Sequence, residues 1–407
     1  MRTLSILVPT VLFPSLLAAQ ECGTGRYVVP GYFPQIDSIP AVVYGSNTSA
    51  DGGSTQTLRM DIYAPANDDL DARPVVVVAF GGSFVQGSRA DVAPLCSQLA
   101  RMGYVAVAPD YRVGFFFPNT STTMHAVQRC VHDLKAAIRF LRKSVAEDGN
   151  PYAIDPDRII VGGVSAGAIG ALHLTYMNEP GELPAPLVAD SAALGGMEGL
   201  SGNPGYSSVP MACVSLSGAL MDTTWIHPGD QPCAGIHETG DPIVPCYTAQ
   251  AYALGFPTGI VVSGDHDISL RMDHIGLPHC YLEYPGTGHV GYLDYDPLNS
   301  LAFMYQFLAN VVCNQALSCT DATARVAEQP ASMEPVRLWP QPASDKLHLE
   351  LSAASRVRII DGKGRVVQDR SLPLGTATLD ISSLAEGLYL VEVTGHAVRT
   401  ARLVIAR

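Results

Sequence analysis

Gly163-Val164-Ser165-Ala166-Gly167 directly follows the apolar run Ile159-Ile160-Val161-Gly162 and directly precedes Ala168-Ile169-Gly170-Ala171-Leu172-His173-Leu174. A strand that reverses into a helix within five residues has no room for side chains at the first and last of them, so glycine is needed at both. The serine at the apex is pushed outward. Ala166 opens the helix, and its N–H points to where an oxyanion would develop, with the positive end of the helix behind it. With 38 glycines in the chain the pentapeptide alone says little, but its flanks add to it. Ile154-Asp155-Pro156-Asp157-Arg158 reads as a turn feeding a strand, and the small residues after Gly167 suit a helix packed closely on a sheet.

The surrounding pattern supplies such a sheet. Val75-Val76-Val77-Val78-Ala79-Phe80, ending in Gly81-Gly82, and Tyr104-Val105-Ala106-Val107-Ala108-Pro109 are continuous apolar runs, as parallel strands buried on both faces are. Residues 90–102 between them suit a crossover helix. Leu58, Met60 and Ile62 alternate with Arg59, Asp61 and Tyr63, which predicts an antiparallel strand near a sheet edge. Met124, Val127, Val131, Leu134, Ile138, Leu141 and Val145 recur at steps of three and four, giving a long amphipathic helix that leads into the serine-bearing strand. Further strands are expected at 211–217, 234–237, 259–263 and 280–284, and a last helix at 298–312. Repeated strand–helix units predict an α/β fold, a doubly wound and mostly parallel sheet, over residues 21–319.

The ends of the chain differ from this middle. Arg2, an apolar stretch from Leu4 to Leu17 and Ala18-Ala19-Gln20 predict a signal peptide over residues 1–20, too short to span a bilayer well, and no other window approaches a membrane span. All nine cysteines precede residue 320, and in a secreted chain disulfides are their default use. Spacing does not identify the pairs; Cys313 with Cys319 is the easiest by proximity. The wide spacings and the lack of a C-x-x-C pair argue against a metal site. Residues 320–336, rich in Ala, Thr, Glu and Pro, read as a linker. Residues 337–407 contain short alternating runs at 346–351, 356–360, 376–381, 388–393 and 402–405 between Gly, Asp and Ser turns, which predicts a small all-β sandwich. A net charge of −13 with no Lys/Arg cluster excludes non-specific nucleic-acid binding.

A serine hydroxyl needs a histidine to take its proton and a carboxylate to fix the imidazole tautomer. His289, in Pro285-Gly286-Thr287-Gly288-His289 after an expected strand, is the chosen base. Asp241, in His237-Glu238-Thr239-Gly240-Asp241-Pro242, is the chosen acid, with Asp265 and Asp267 as competitors and a helix N-cap as its structural alternative. Gly82 and Ser83, in Phe80-Gly81-Gly82-Ser83-Phe84, are the expected oxyanion donors together with Ala166. Phe115, Phe116 and Phe117 either wall an acyl pocket or anchor a loop in the core. His125, His132, His173, His274 and His279 lack ligand spacing, and His237 beside the acid is the next candidate for a role.

Together these segments, from about Val75 to His289, resemble the α/β-hydrolase superfamily, and within it carboxylesterases related to hormone-sensitive lipase and to bacterial feruloyl and acetyl xylan esterases. Phe80 to Phe84 is similar to that group's His-Gly-Gly-Gly-Phe loop, with Phe80 in place of the usual histidine and Ser83 in place of the usual third glycine or alanine. Pro109-Asp110-Tyr111-Arg112 resembles its Asp-Tyr-Arg element, and Asp241 and His289 fall on its acid and base motifs. Leu338-Trp339-Pro340-Gln341-Pro342-Ala343 and Gly387-Leu388-Tyr389-Leu390-Val391 resemble the C-terminal sorting domain of the type IX secretion system. The resemblances imply a secreted or surface-displayed serine carboxylic ester hydrolase that forms an acyl-enzyme on Ser165. It would need no cofactor, act on a small-molecule or polymer-linked ester, and meet the secretion machinery through its tail. A peptidase of the same fold and a non-catalytic adhesion protein are the alternatives, separated by an ester and amide panel and by fluorophosphonate labelling.

Overall fold

A computed structural model describes residues 21–319 and 336–407, apart from 116, 254, 352, 362–364 and 395–397. The expected signal peptide at 1–20 and all but the last residue of the expected linker at 320–336 lie outside the described residues. The chain divides into two compact units, residues 1–324 and 325–407.

The elements of the first unit, in order, are β1 (Ile36–Thr48), β2 (Thr55–Pro65), β3 (Arg73–Ala79), α1 (Ala93–Arg101), β4 (Val105–Pro109), α2 (Thr120–Glu147), β5 (Ile154–Val164), α3 (Ala166–Tyr176), α4 (Ala185–Leu194), β6 (Ala212–Leu216), β7 (Ala219–Leu220), β8 (Cys233–Glu238), β9 (Ala249–Ala253), β10 (Phe256–Gly264), α5 (Asp265–Ile275), β11 (His279–Tyr284), α6 (Tyr292–Tyr295) and α7 (Pro297–Val312). Eight strands form one sheet in the order β1-β2-β4-β3-β5-β6-β8-β11. Pairing is antiparallel for β1–β2 and β2–β4 and parallel for every later pair. β3, β4 and β6 are buried at every position, as their continuous apolar sequences require.

Three features differ from the sequence-based expectation. β1, a bulged and largely exposed strand without an alternating signal, was not expected; it adds an antiparallel edge beyond β2, which lies near the sheet edge as expected. β10 covers the expected strand 259–263 but leaves the main sheet, pairing with β7 and β9 in a separate three-stranded antiparallel sheet. The easiest cysteine pairing is also wrong: Cys313 bonds Cys22 and Cys319 bonds Cys280. Cys313 ends α7, and Cys22 packs against the same core from the start of the described chain, so three-dimensional proximity overrides closeness in sequence. The other five cysteines are free and buried.

The second unit contains β12 (Leu338–Trp339), β13 (Lys346–Leu351), β14 (Ser355–Ile360), β15 (Val366–Leu372), β16 (Gly375–Asp380), β17 (Gly387–Thr394) and β18 (Val398–Ile405). They form two antiparallel sheets, β12-β13-β16 and β15-β14-β17-β18. Leu347, Leu349 and Leu351 of one sheet share a buried cluster with Val357, Ile359, Val391 and Val393 of the other, which makes the pair a sandwich. β15 was not expected, because Val366-Val367-Gln368-Asp369-Arg370 is polar and largely exposed. Among the described residues no helix is long and apolar enough to cross a membrane.

Candidate active site

Every candidate residue sits at the carboxyl end of the parallel strands. The chain runs from β3 to β4 on one side and from β5 to β6 on the other, so the β3 and β5 ends flank a topological switch point where ligands bind. Register brings the two loops together, since Ala79 pairs with Gly163.

Ser165 links β5 to α3 with φ 55° and ψ −119°, a conformation rare for a residue with a side chain. Its N–H donates to Leu216 O at 2.8 Å, anchoring the turn to β6. The flanking glycines are required by contact. A Cβ on Gly163 would lie 2.4 Å from Gly167 C, and one on Gly167 would lie 2.3 Å from Ala79 O. α3 is apolar around its whole circumference and almost fully buried, which holds its N-terminus rigidly behind Ser165.

The acid and base loops leave neighbouring strands, with Glu238 on β8 paired to Tyr284 on β11. They are laced together by Thr239 N–H to Tyr284 O at 2.9 Å and Gly240 N–H to Gly286 O at 2.7 Å. His289 Nε2 lies 2.7 Å from Ser165 Oγ, and His289 Nδ1 lies 2.7 Å from Asp241 Oδ2. Asp241 accepts from the backbone N–H groups of Ile243 and Val244 through Oδ1, at 2.8 and 3.1 Å. It caps a turn here, since no helix follows until Asp265, so its structural alternative is realised only as a turn. Burial opposes its charge, but hydrogen bonds from His237 and His289 outweigh that and hold the carboxyl down at about 2.

The competing carboxylates are engaged elsewhere. Asp265 Oδ2 meets His237 Nδ1 at 2.9 Å, and Asp267 accepts from the Thr248 backbone N–H at 2.7 Å. Glu238 was not anticipated. It is 1% exposed, accepts from Gly291 N–H at 3.0 Å and from Tyr295 Oη at 3.1 Å, and so fixes the loop that carries His289. Its only sequence signal is a carboxylate at a strand end, three residues before the acid.

Gly82 and Ser83 lie in a tight loop after β3, where Gln86 N–H donates to Gly82 O at 3.2 Å. Gly82 has φ +116°, and a Cβ there would meet Gln86 O at 2.2 Å. Among the described residues no backbone acceptor takes the N–H of Gly82 or Ser83. Phe80 stacks on Tyr111 with ring centroids 4.2 Å apart, and Tyr111 Oη donates to Phe80 O at 2.8 Å, supporting the loop from below. Arg112 beside it is locked in a buried pair with Asp133 of α2, Nε to Oδ2 at 2.9 Å.

A recess of about 60 Å³ opens beside Ser165, lined by Ser83, Phe84, Phe115, Ala166, Ile169, Val244, Ile260 and Val262 among others. Larger cavities of about 300 and 220 Å³ exist, but Ser165 lines neither. Phe115 lines this recess and also packs against the core, whereas Phe117 is 87% exposed and does neither, and Phe116 is outside the described residues. His173 also lines the recess, with Nδ1 donating to Ile169 O at 2.8 Å; burial pushes it down to about 4 and keeps the ring neutral.

An eight-stranded, mostly parallel sheet in this order, with a serine on the turn after its central strand and histidine and aspartate loops over it, is the α/β-hydrolase fold. Residues 60–188 match the BD-FAE family model, a span that includes Ser165 and ends before Asp241 and His289. Residues 337–406 match the secretion system C-terminal sorting domain, the type IX tail, which marks a secreted or outer-surface protein. Among curated proteins, esterase LipQ of Mycobacterium tuberculosis is 26% identical over 200 residues, 44% of this chain and 45% of its own length. The chlorogenic acid esterase of Aspergillus niger is 26% identical over 193 residues, 44% of this chain and 37% of its own length. The chain thus spans less than half the length of either relative. Among solved structures, Thermogutta terrifontis esterase 2 phosphorylated by paraoxon is 24% identical with a TM-score of 0.46, covering 69% of this chain and 92% of that one.

Proposed function

We propose that this chain is a secreted serine carboxylic ester hydrolase whose catalytic part is residues 21–319, joined by a linker at 320–336 to a sorting domain at 337–407. The observation that carries this is the unbroken hydrogen-bond line from Ser165 Oγ through His289 to Asp241, 2.7 Å at each step. Sequence similarity to proteins named as esterases supports the choice of ester substrates.

Ser165 Oγ attacks the ester carbonyl carbon while His289 Nε2 takes its proton. Asp241, accepting from Nδ1–H, keeps the ring in the tautomer with a free Nε2 lone pair and stabilises the imidazolium that forms. The N–H groups of Gly82, Ser83 and Ala166 receive the negative oxygen of the tetrahedral intermediate. Collapse expels the alcohol, which takes its proton from His289, and leaves an acyl group on Ser165. A water, deprotonated by His289, then attacks the acyl carbon; the carboxylic acid departs and the Ser165 hydroxyl is restored. The apolar recess beside Ser165 suits a short, apolar group on one side of the ester. Steady-state assays of the mature protein on acetyl, butyryl, hydroxycinnamoyl and polyester substrates, beside matched amides, test this. Ester turnover lost in Ser165→Ala is expected; equal hydrolysis by Ser165→Ala and wild type would overturn it.

A further inference from the structure

Of the buried imidazoles that the ester-hydrolase mechanism leaves unused, those of His132, His173 and His237, the last lies against the catalytic carboxylate. His237, at the end of β8, is fully buried between two carboxylates. Its Nδ1 lies 2.9 Å from Asp265 Oδ2, and its Nε2 lies 2.9 Å from Val244 O and 3.4 Å from Asp241 Oδ2. A carbonyl oxygen only accepts, so Nε2 carries a hydrogen directed at Val244 O and Asp241 together. Asp265 Oδ2 also accepts from Gly218 N–H at 3.3 Å; burial raises this carboxyl, the bonds from His237 and Gly218 oppose that, and the 2.9 Å contact suits an Nδ1–H donating to Oδ2 better than the 3.5 Å approach of Asp265 N–H suits a bare Nδ1.

We propose that His237 is a positioning residue: an imidazolium that Asp265 holds in the core and that fixes the Asp241 carboxylate toward His289. This rests on the mechanism proposed above. The Asp241 carboxylate is buried at 0% exposure, and the proposed mechanism has His289 start as the uncharged base, which gives Asp241 no formal positive charge before the reaction begins. His237 supplies that charge throughout. When His289 is protonated, the line Asp265, His237, Asp241, His289 alternates in sign. Through Val244 O the same imidazole also pins the turn whose amides hold Asp241 Oδ1.

Burial opposes the charge on His237, but hydrogen bonds to Asp241 and then Asp265 outweigh it and raise the imidazole to about 10. Other titratable groups near these carboxylates are the Tyr292 hydroxyl on α6, the Cys246 thiol after the Asp241 turn, the Cys233 thiol that opens β8 and the Glu238 carboxyl next to His237 in sequence. Burial pushes the Tyr292 hydroxyl and the Cys246 thiol upward, and a hydrogen bond with Cys213 together with burial raises the Cys233 thiol, so these three are neutral at pH 7 and His237 is the cation beside them.

The test compares His237→Ala, His237→Gln and Asp265→Asn in the full chain. Losing a hydrogen bond to a charged group should lower kcat of His237→Ala by about 10- to 100-fold with little change in KM. Without the cation the Asp241 field acts on His289 unopposed, so the acid limb of the kcat/KM profile should move to higher pH. His237→Gln retains an N–H that can reach Asp241 and should recover part of kcat without restoring the limb. Nitrogen-15 NMR of wild type and of Ser165→Ala should show both His237 ring nitrogens protonated at pH 7. A neutral His237 ring, or folded His237→Gln and Asp265→Asn with wild-type kcat and acid limb, would overturn the proposal, and these two variants decide if His237→Ala does not fold. An imidazolium in a wild-type protein that turns over no ester would instead sink the hydrolase mechanism.

Discussion

His289 Nδ1 and Asp241 Oδ2 are 2.7 Å apart although 48 residues separate them. The parallel register of β8 and β11 sets that distance, because it aligns Glu238 with Tyr284 and releases both loops at one level. In Asp241→Asn the amide keeps an acceptor for Ile243 and Val244 but can donate to Nδ1, favouring the tautomer that cannot take the serine proton. We expect kcat to fall by about 10⁴-fold while the protein stays folded, measured by ester turnover beside a thermal melt.

Gly82 is the position where the backbone donors are most sensitive to a side chain. Alanine there would force a Cβ to within 2.2 Å of Gln86 O at a φ of +116°, so the loop must move. Displacing one oxyanion donor should lower kcat by about 10²- to 10³-fold, with a smaller effect on KM. Steady-state kinetics of Gly82→Ala and Ser83→Ala separate the effects: Ser83→Ala keeps its amide and should retain most activity.

The recess beside Ser165 is walled by β10 through Ile260 and Val262. Ile260→Ala should widen it and raise kcat/KM for hexanoyl relative to acetyl esters by about tenfold or more, the effect of accommodating one or two further methylenes. An unchanged chain-length profile would place the acyl group elsewhere.

The pH dependence of stability should have two limbs. Native His237, raised to about 10, keeps a proton that the unfolded chain gives up near 6.5, so its contribution is full below pH 6.5 and is lost as pH rises through about 10. Burial holds His132 and His173 down at about 4, so the unfolded chain binds protons that the native one refuses, and stability falls as pH drops from 6.5 toward 4. Asp241, lowered to about 2, adds stability above its ordinary 3.8 that is lost as pH falls through about 2. Thermal melts should peak near pH 6.5, and His237→Gln should flatten the alkaline limb.

Residues with a strong local reason to be where they are were legible in the sequence. The serine turn is written by two glycines in contact, and β3 and β4 by unbroken apolar runs. β1 and β15 were not, because edge strands with polar, exposed faces carry little hydrophobic periodicity. β10 was visible as a strand, but its partners depend on long-range pairing with β7 and β9. The disulfide Cys22–Cys313 spans 291 residues, so it follows from the finished fold and from nothing local. Glu238 escaped for a similar reason, and Asp265 was legible only as a rival acid, because the loop that Glu238 holds and the imidazole that Asp265 meets are brought near only by the folded sheet.

The central claim is that Ser165 is a nucleophile activated by His289. Intact-mass spectrometry after treatment with a fluorophosphonate measures this most directly. One adduct per wild-type chain, mapped to the Ser165 peptide, absent in Ser165→Ala and greatly slowed in His289→Ala, is the predicted result. An unlabelled wild-type protein that is folded, or one labelled equally in Ser165→Ala, would contradict it.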